Sequence, residues 1–138
     1  MAEAKMDLVR RCTAAFERNS NIATAFAEIR PLMAPDAEWI EDPSWPGYGT
    51  LRGPEDVSRY LQAQMDEVWE SVRVEFEEVT DLGGDRALTV VNAHARSRAG
   101  IDTELRIAHI WTIRDGLLQK LEWFLDPARA QQAVEGAE

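Results

Sequence analysis

Residues 104–126, ELRIAHIWTIRDGLLQKLEWFLD, decide the fold, because they predict two long antiparallel strands joined at Arg114-Asp115-Gly116. From Thr103 to Ile113 the residues alternate with a period of two, which is the pattern of a strand that buries one face. His109 is the only ionisable group on the apolar face. Because histidine changes charge near neutral pH, His109 is the first candidate for a functional residue.

The length of this turn sets which residues face each other. A two-residue turn would place Glu122 opposite His109, whereas a three-residue turn with a left-handed Gly116 would place Leu121 there and Trp123 opposite Ile107. A slip of one residue in the register moves every side chain to the opposite face of the sheet, so the burial pattern should discriminate between the two turns. The burial pattern favours the three-residue turn, in which only Gln119 is a polar exception on the His109 face. The apolar residues that this turn brings to that face are Leu117, Leu121, Trp123 and Leu125.

The rest of the chain predicts helices first and strands afterwards. Apolar spacing predicts a helix over residues 4–18, a second helix that is capped by Asn21 and is kinked or ended by Pro31, and a third that begins at Gly53-Pro54. Strands are predicted at 37–42, at 71–80 with a bulge after Glu77-Glu78, and at 86–98, and a short helix follows Asp126-Pro127. This order indicates an α+β fold, in which a curved antiparallel sheet covered by helices encloses a cavity.

Composition limits the classes of partner. The 138 residues predict one domain, 1–138, and the formal net charge of −10 argues against binding to nucleic acid or to anionic membranes. Cys12 is the only cysteine, so no disulfide framework or thiolate metal site is expected. No signal peptide and no apolar run of about 18 residues is visible, which predicts a soluble, cytoplasmic protein.

A second hairpin turn brings more polar residues to the same face in this interpretation. If Ala99-Gly100 is a two-residue turn, His94 pairs with Leu105 and Asn92 with Ile107, so that both histidines share the apolar face. Two histidines could move protons near neutral pH, and a carboxylate beside them in a dry cavity would be a usable base. Asn92 could orient a carbonyl or enolate oxygen.

Three segments resemble the nuclear transport factor 2-like superfamily, within its SnoaL-like polyketide cyclase and ketosteroid isomerase group. They are APDAEWIEDP at 34–43, GTLRGPEDVSRYL at 49–61 and HIWTIRDGLLQKLEWFLD at 109–126. The resemblance covers nearly the whole chain. It implies a cone-shaped sheet wrapped around an apolar pocket, a cystatin-like α+β barrel, and a homodimer, for which the outer face of the last hairpin is the candidate surface: Arg106, Ile110, Thr112 and Phe124.

The resemblance also implies roles for individual residues. The segment IEDP at 40–43 is similar to the one that carries the general-base aspartate of ketosteroid isomerases, which places that role on Asp42. His109 falls where those enzymes have a protonated aspartic acid in the oxyanion hole, while their first-helix tyrosine is replaced by Thr13 or Phe16. Limonene epoxide hydrolases on this fold need an Arg-x-Asp pair. The corresponding residues here are Ile107 and His109, so epoxide hydrolysis of that kind is not expected. Scytalone dehydratases use two pocket histidines and an aspartate, for which His94, His109 and Asp42 are candidates.

These observations predict a protein that binds a small hydrophobic or polycyclic carbonyl compound and catalyses isomerisation, cyclisation or dehydration without a cofactor. Asp42 would be the base and His109 the acid or electrophile, with Asn92 and His94 assisting. No metal site is expected, because two histidines and an aspartate lack tight ligand spacing. Flat apolar walls of the pocket would come from six aromatic residues and one leucine: Trp39, Trp45, Tyr48, Tyr60, Trp111, Leu121 and Trp123. Two of them, Trp45 and Tyr48, belong to the loop at 43–53, which is either a lid over the pocket or a surface connection.

Each of these residues also has a purely structural interpretation. His109 could be a neutral core histidine, His94 could be exposed near a strand end, and Asp42 could form an Asx turn before Pro43. The tryptophans could belong to the core rather than to a pocket. The alternative function is therefore a non-catalytic ligand-binding or dimerisation module on the same fold.

Overall fold

Helices precede most of the strands, as the sequence predicts. The structure is a computed structural model and describes residues 2–44 and 49–136. Its elements in chain order are α1 (Ala2–Arg18), α2 (Ile22–Ile29), a short 3₁₀ turn (Arg30–Leu32), β1 (Met33–Ile40), β2 (Thr50–Arg52), α3 (Gly53–Glu67), β3 (Trp69–Gly83), β4 (Arg86–Ser97), β5 (Asp102–Arg114), β6 (Leu117–Phe124) and α4 (Pro127–Gly136).

The six strands form one curved, open sheet in the order β2-β1-β6-β5-β4-β3. Strands β3 to β6 are an antiparallel meander, as expected, and the bulge in β3 lies between Phe76 and Glu78. One pair differs from the antiparallel prediction, because β1 runs parallel to β6, with Trp39 beside Leu121. The sheet is therefore mixed. Strand β2, within the predicted loop at 43–53, was missed because it has only three residues. The predicted α+β class is confirmed.

Helices α1 to α3 pack on the inner face of the sheet. Asn21 caps α2 by accepting a hydrogen bond from the backbone N–H of Thr24 at 3.0 Å, as predicted. Phe26 of α2 is fully buried and meets Trp39 of β1 edge-on, with the ring centroids 6.0 Å apart. This contact lies in the main core, which the three helices share with β1, β5 and β6.

Helix α4 packs on the opposite, outer face of the sheet. Its Ala130 and Val134 form a second apolar cluster with four buried strand residues: Leu88, Val90, Ala108 and Ile110. The outer face proposed for dimerisation is therefore largely covered within the chain. Ile110 and Thr112 are buried and Phe124 is half-buried, whereas Arg106 is exposed. The prediction that these four residues form one free surface is wrong. The homodimer itself stays a prediction.

The turn between β5 and β6 has two residues. Asp115 and Gly116 have φ values of 54° and 75°, and Arg114 pairs with Leu117. A bulge then leaves Gln119 without a partner in the ladder, so that Trp123 pairs with His109. Neither predicted partner of His109 is correct. The predicted face of Leu121 and Trp123 is correct, because the bulge restores the alternation and lets the Gln119 amide reach Asp36 at 3.1 Å.

The three-residue turn occurs instead between β4 and β5. The backbone N–H of Ser97 donates to the carbonyl of Ile101, and Gly100 is left-handed with φ of 85°. As a result His94 pairs with Glu104 and Thr89 pairs with His109. The prediction that both histidines share one face is wrong, since one residue of register separates the two faces.

Candidate functional site

A cavity of about 180 Å³ lies between the helices and the inner face of the sheet. Its walls include five residues predicted to bind substrate: Trp39, Tyr60, Trp111, Leu121 and Trp123. The other two, Trp45 and Tyr48, lie outside the described residues. A cavity of roughly 150 Å³ accommodates a benzene ring, so this volume suits a small ring-containing molecule.

Small side chains on β4 make room for the cavity. The inner face of this strand carries Ala93 and Ala95, which line the cavity beside their β3 neighbours Val74 and Val72. Outward-facing residues alternate with them along the strand, as the period of two requires. The walls are therefore mainly apolar, and the few polar side chains that reach them decide what the cavity can recognise.

Glu41 is the carboxylate at this cavity. It follows β1, its residue is 5% exposed, and the Tyr60 hydroxyl donates to Glu41 Oε2 at 2.5 Å. Burial raises the pKa of Glu41, although hydrogen bonds from Tyr60 and Gly49 oppose the shift. The sequence analysis overlooked Glu41. The signal was present, because Ala37, Trp39 and Glu41 are alternate positions and all are buried.

Asp42, predicted to be the base, is not among the residues that line the cavity. Its carboxylate is buried, accepting hydrogen bonds from the Ser44 N–H and hydroxyl, both at 2.8 Å, and from the Leu125 N–H at 2.7 Å. Arg129 lies 3.5 Å away. Burial alone would raise the pKa of Asp42, but these hydrogen bonds and the Arg129 charge outweigh it and lower that pKa. Asp42 thus forms an Asx turn and ties the end of β1 to the end of β6.

His109 does line the cavity, as predicted. Its Nδ1 lies 3.2 Å from the hydroxyl of Thr89, which in turn accepts a hydrogen bond from the Trp111 indole N–H at 2.8 Å. Its ring packs between Phe76 and Trp111, with centroid distances of 6.4 and 6.3 Å. Burial lowers the pKa of His109 to about 4, so the imidazole is neutral at pH 7.

Asn92 and His94 lie on the outer face of the sheet, away from the cavity. The Asn92 amide donates to Glu77, and His94 Nδ1 is 3.1 Å from the carboxylate of Glu104. His94 is exposed, as its structural interpretation allowed. The four predicted catalytic residues therefore do not converge, and only His109 faces the cavity.

Gln64 of α3 adds a polar group to the cavity wall. It lies one helical turn after Tyr60, and both side chains line the cavity. Within residues 2–44 and 49–136, no hydrogen-bond partner of the Gln64 amide is found. The cavity thus combines one carboxyl group, one neutral imidazole and one amide with apolar walls, which is a set suited to proton transfer and to binding oxygen groups.

In the described part of the chain, no three histidine, cysteine, aspartate or glutamate residues are grouped so that they could hold a metal ion. Among the same residues, no helix has both the length and the apolar character needed to span a membrane.

Comparison with known proteins agrees with the fold. A structure of a nuclear transport factor 2-like protein from Burkholderia thailandensis is 26% identical, with a TM-score of 0.76 over 94% of this chain and 95% of that one. The structure of TerC co-crystallised with polyporic acid is 23% identical, with a TM-score of 0.75 over 96% and 98%. A SnoaL-like polyketide cyclase from Jannaschia is 16% identical, with a TM-score of 0.70 over 96% and 92%.

No match was found among curated proteins. The family model for the SnoaL-like domain matches residues 9–121, most of the chain. The match includes α2, α3 and strands β1 to β5, and so the residues of the cavity wall that those elements carry. This chain therefore belongs to the SnoaL-like domain family.

Proposed function

We propose that this protein binds a small, ring-containing carbonyl compound in the cavity and catalyses proton transfer at the carbon next to the carbonyl group. Glu41 is the base, and His109 forms a hydrogen bond with the carbonyl oxygen. The observation that carries this proposal is a buried carboxyl group with a raised pKa on the wall of an otherwise apolar cavity that also exposes a neutral imidazole. Glu41 therefore takes the role of base that the sequence analysis assigned to its neighbour Asp42.

Glu41 takes the proton from the carbon next to the carbonyl group, the C–H electron pair becomes a carbon–carbon double bond, and the carbonyl π pair moves to oxygen. The enolate oxygen is then stabilised by the hydrogen bond from His109. If a carbon–carbon double bond is conjugated with the enolate, Glu41 returns the proton to the far carbon, which gives isomerisation. Attack of the enolate carbon on a second carbonyl group gives cyclisation, and the resulting alkoxide takes the proton from Glu41. Loss of a β-hydroxyl group as water, with the proton from Glu41, gives dehydration. None of these outcomes requires a cofactor.

Burial adapts Glu41 to this task. A carboxyl group with its usual pKa is a weak base, and raising the pKa toward neutrality strengthens it. The hydrogen bond from Tyr60 holds the carboxyl group in one orientation while opposing part of the pKa shift. The rings of Trp39, Trp111 and Trp123 offer flat surfaces for the ligand. The co-crystal of TerC with polyporic acid supports the view that this fold accommodates an organic molecule.

The second candidate is a binding protein without catalysis. Two observations favour it: the Glu41 carboxylate already accepts a hydrogen bond from Tyr60, and the four residues that the sequence predicted to be catalytic do not assemble. In that case the cavity selects a ligand by shape and by its few polar groups, and Glu41 serves only to position Tyr60.

Hydrogen–deuterium exchange separates the two candidates without knowledge of the product. Cyclic ketones that bind, found by ligand-observed NMR, are incubated with the protein in D₂O, and loss of the proton signal next to the carbonyl is followed. We expect catalysed exchange in the wild type and a loss of about 100-fold or more in Glu41→Gln. Glu38→Gln is the matched control, since Glu38 pairs with exposed Arg52 and does not line the cavity. Binding without exchange, or full exchange in Glu41→Gln, would refute the catalytic proposal.

A further inference from the structure

We infer that Trp111 and Thr89 fix His109 as the imidazole tautomer that carries its proton on Nε2, so that this wall of the cavity binds a hydrogen-bond acceptor such as a carbonyl or ether oxygen. Thr89 is thus a positioning residue that acts on the ligand through His109. The tautomer follows from contacts within the protein alone. The choice of ligand rests in addition on the proposed function.

The first step concerns the indole of Trp111. An indole N–H can donate a hydrogen bond but cannot accept one. It lies 2.8 Å from Thr89 Oγ1, in a fully buried contact between neighbouring strands. The Thr89 oxygen therefore accepts a hydrogen bond here, and its own hydroxyl hydrogen must point elsewhere.

The second step concerns where that hydrogen goes. Thr89 is fully buried, and among the described residues the only other polar atom within hydrogen-bond distance of its hydroxyl is His109 Nδ1, at 3.2 Å. If Nδ1 carried the imidazole proton, two donors would point at the Thr89 oxygen and its hydroxyl hydrogen would be buried without an acceptor. Buried donors without acceptors are strongly disfavoured. Thr89 therefore donates to Nδ1, which must be unprotonated.

The third step concerns the other ring nitrogen. The imidazole is neutral at pH 7, in agreement with its lowered pKa of about 4, so its single proton lies on Nε2. No protein atom in the described residues is a hydrogen-bond partner of Nε2, and the His109 ring lines the cavity. An imidazole N–H that has no partner among the described residues, at an apolar cavity, selects a ligand that places an oxygen acceptor against it.

The tautomer can be read directly by ¹⁵N NMR of histidine-labelled protein without ligand at pH 7. His109 is distinguished from the second histidine by a His94→Gln variant, because His94 is exposed on the other face. We expect the wild-type spectrum to show an unprotonated Nδ1 and a protonated Nε2, by about tenfold or more in population. A protonated Nδ1 would overturn the inference, and the wild-type spectrum decides this even if a variant fails to fold.

Two substitutions at Thr89 then test its role as the cause. Thr89→Val keeps the shape of the side chain but removes the hydroxyl group, so the preference for the Nε2 proton should fall to a mixture of tautomers. Thr89→Ser keeps the hydroxyl group and should retain the wild-type tautomer, which a merely structural role for Thr89 does not predict. An unchanged tautomer in Thr89→Val would refute the positioning role.

Acetophenone and ethylbenzene test the ligand half, because they differ mainly in the carbonyl oxygen. Their dissociation constants are compared in the wild type and in His109→Phe, which keeps an aromatic ring but removes the donor. We expect the ratio of the two constants to shift by about fivefold or more against acetophenone in the variant. An unchanged ratio would refute acceptor recognition. If neither compound binds the wild type, acceptor recognition and the proposed function both fail, while the NMR result on the tautomer stands by itself.

Discussion

Two neighbouring carboxylates should respond in opposite ways to the same substitution, from carboxylate to amide. In Asp42→Asn, one oxygen that accepts a hydrogen bond becomes an NH₂ group. Because both Asp42 oxygens accept from N–H or O–H groups, at least one donor is left facing another donor. An unpaired buried N–H, such as that of Leu125, costs about 1–3 kcal/mol, and loss of the charge weakens the remaining hydrogen bonds. We expect a loss of about 2–4 kcal/mol, or roughly 6–15 °C in Tm for a chain of this length.

Glu41→Gln removes a buried charge but keeps an oxygen that accepts the Tyr60 hydrogen bond. The pKa of Glu41 is raised, so the native state binds this proton more tightly than the unfolded state, and ionisation lowers stability as pH rises above about 4.3. Glu41→Gln should therefore gain stability relative to the wild type between about pH 4 and 7. Asp42 behaves in the opposite way: its pKa is lowered, so its contribution is present above about pH 3.9 and is lost in acid.

Urea unfolding followed by circular dichroism at pH 4 and pH 7 measures both effects. Asp42→Asn should be most destabilised relative to the wild type at pH 7, and Glu41→Gln least. Glu38→Gln provides the control for loss of a glutamate charge outside the cavity. A neutral Asp42→Asn together with a destabilised Glu41→Gln would refute the assignment of the structural and cavity carboxylates.

Three further predictions concern the imidazole, the cavity and the first residue of α3. Wild-type stability should fall as pH drops from about 6.5 to about 4, because the buried His109 resists protonation, and urea titrations should show this fall reduced in His109→Phe but kept in His94→Gln. Ala93→Phe should fill the cavity and abolish binding of small ketones in NMR titrations while the protein stays folded. Gly53→Ala should cost about 1–3 kcal/mol in thermal unfolding, because φ is 83° and a carbonyl oxygen lies 3.1 Å from the new Cβ, whereas Gly49→Ala, with open space around it, should be nearly neutral.

Alternation was the most informative signal in the sequence. It placed β3 to β6 and assigned His109, Leu121 and Trp123 to the inner face, because burial of one face requires a period of two whatever the turn. The same signal extends to Glu41, two residues after Trp39, and would have identified it as the inward carboxylate.

Turn lengths could not be predicted, because they depend on small differences in backbone energy. Asp115 adopts a left-handed conformation that the sequence allows but does not require. The sequence predicted a three-residue turn between β5 and β6 and a two-residue turn between β4 and β5, and the structure has the reverse. The longer turn between β4 and β5 places Asn92 and His94 on the outer face.

Tertiary contacts were also beyond local patterns. Asp42 could be read equally as a base or as an Asx turn, and the contact that decides between them comes from Leu125, 83 residues later. Nothing in the sequence connects Thr89 with Trp111, since the contact requires the register of β4 and β5.

Strand β1 pairs with β6, which is synthesised much later, so β1 has no β6 partner during most of the synthesis of the chain. Residues so distant in sequence must close a long loop before they gain contacts, and such pairing slows folding. At about 5–20 residues per second, β1 waits roughly 4–17 s on the ribosome for its partner, with the apolar side of Trp39 not yet covered by Leu121. A nascent chain that ends before β6 lacks two residues of the cavity wall, Leu121 and Trp123. If the cavity binds a ligand as proposed, that ligand would stabilise the finished fold but could not assist the first half of the chain, because the cavity wall is then still incomplete.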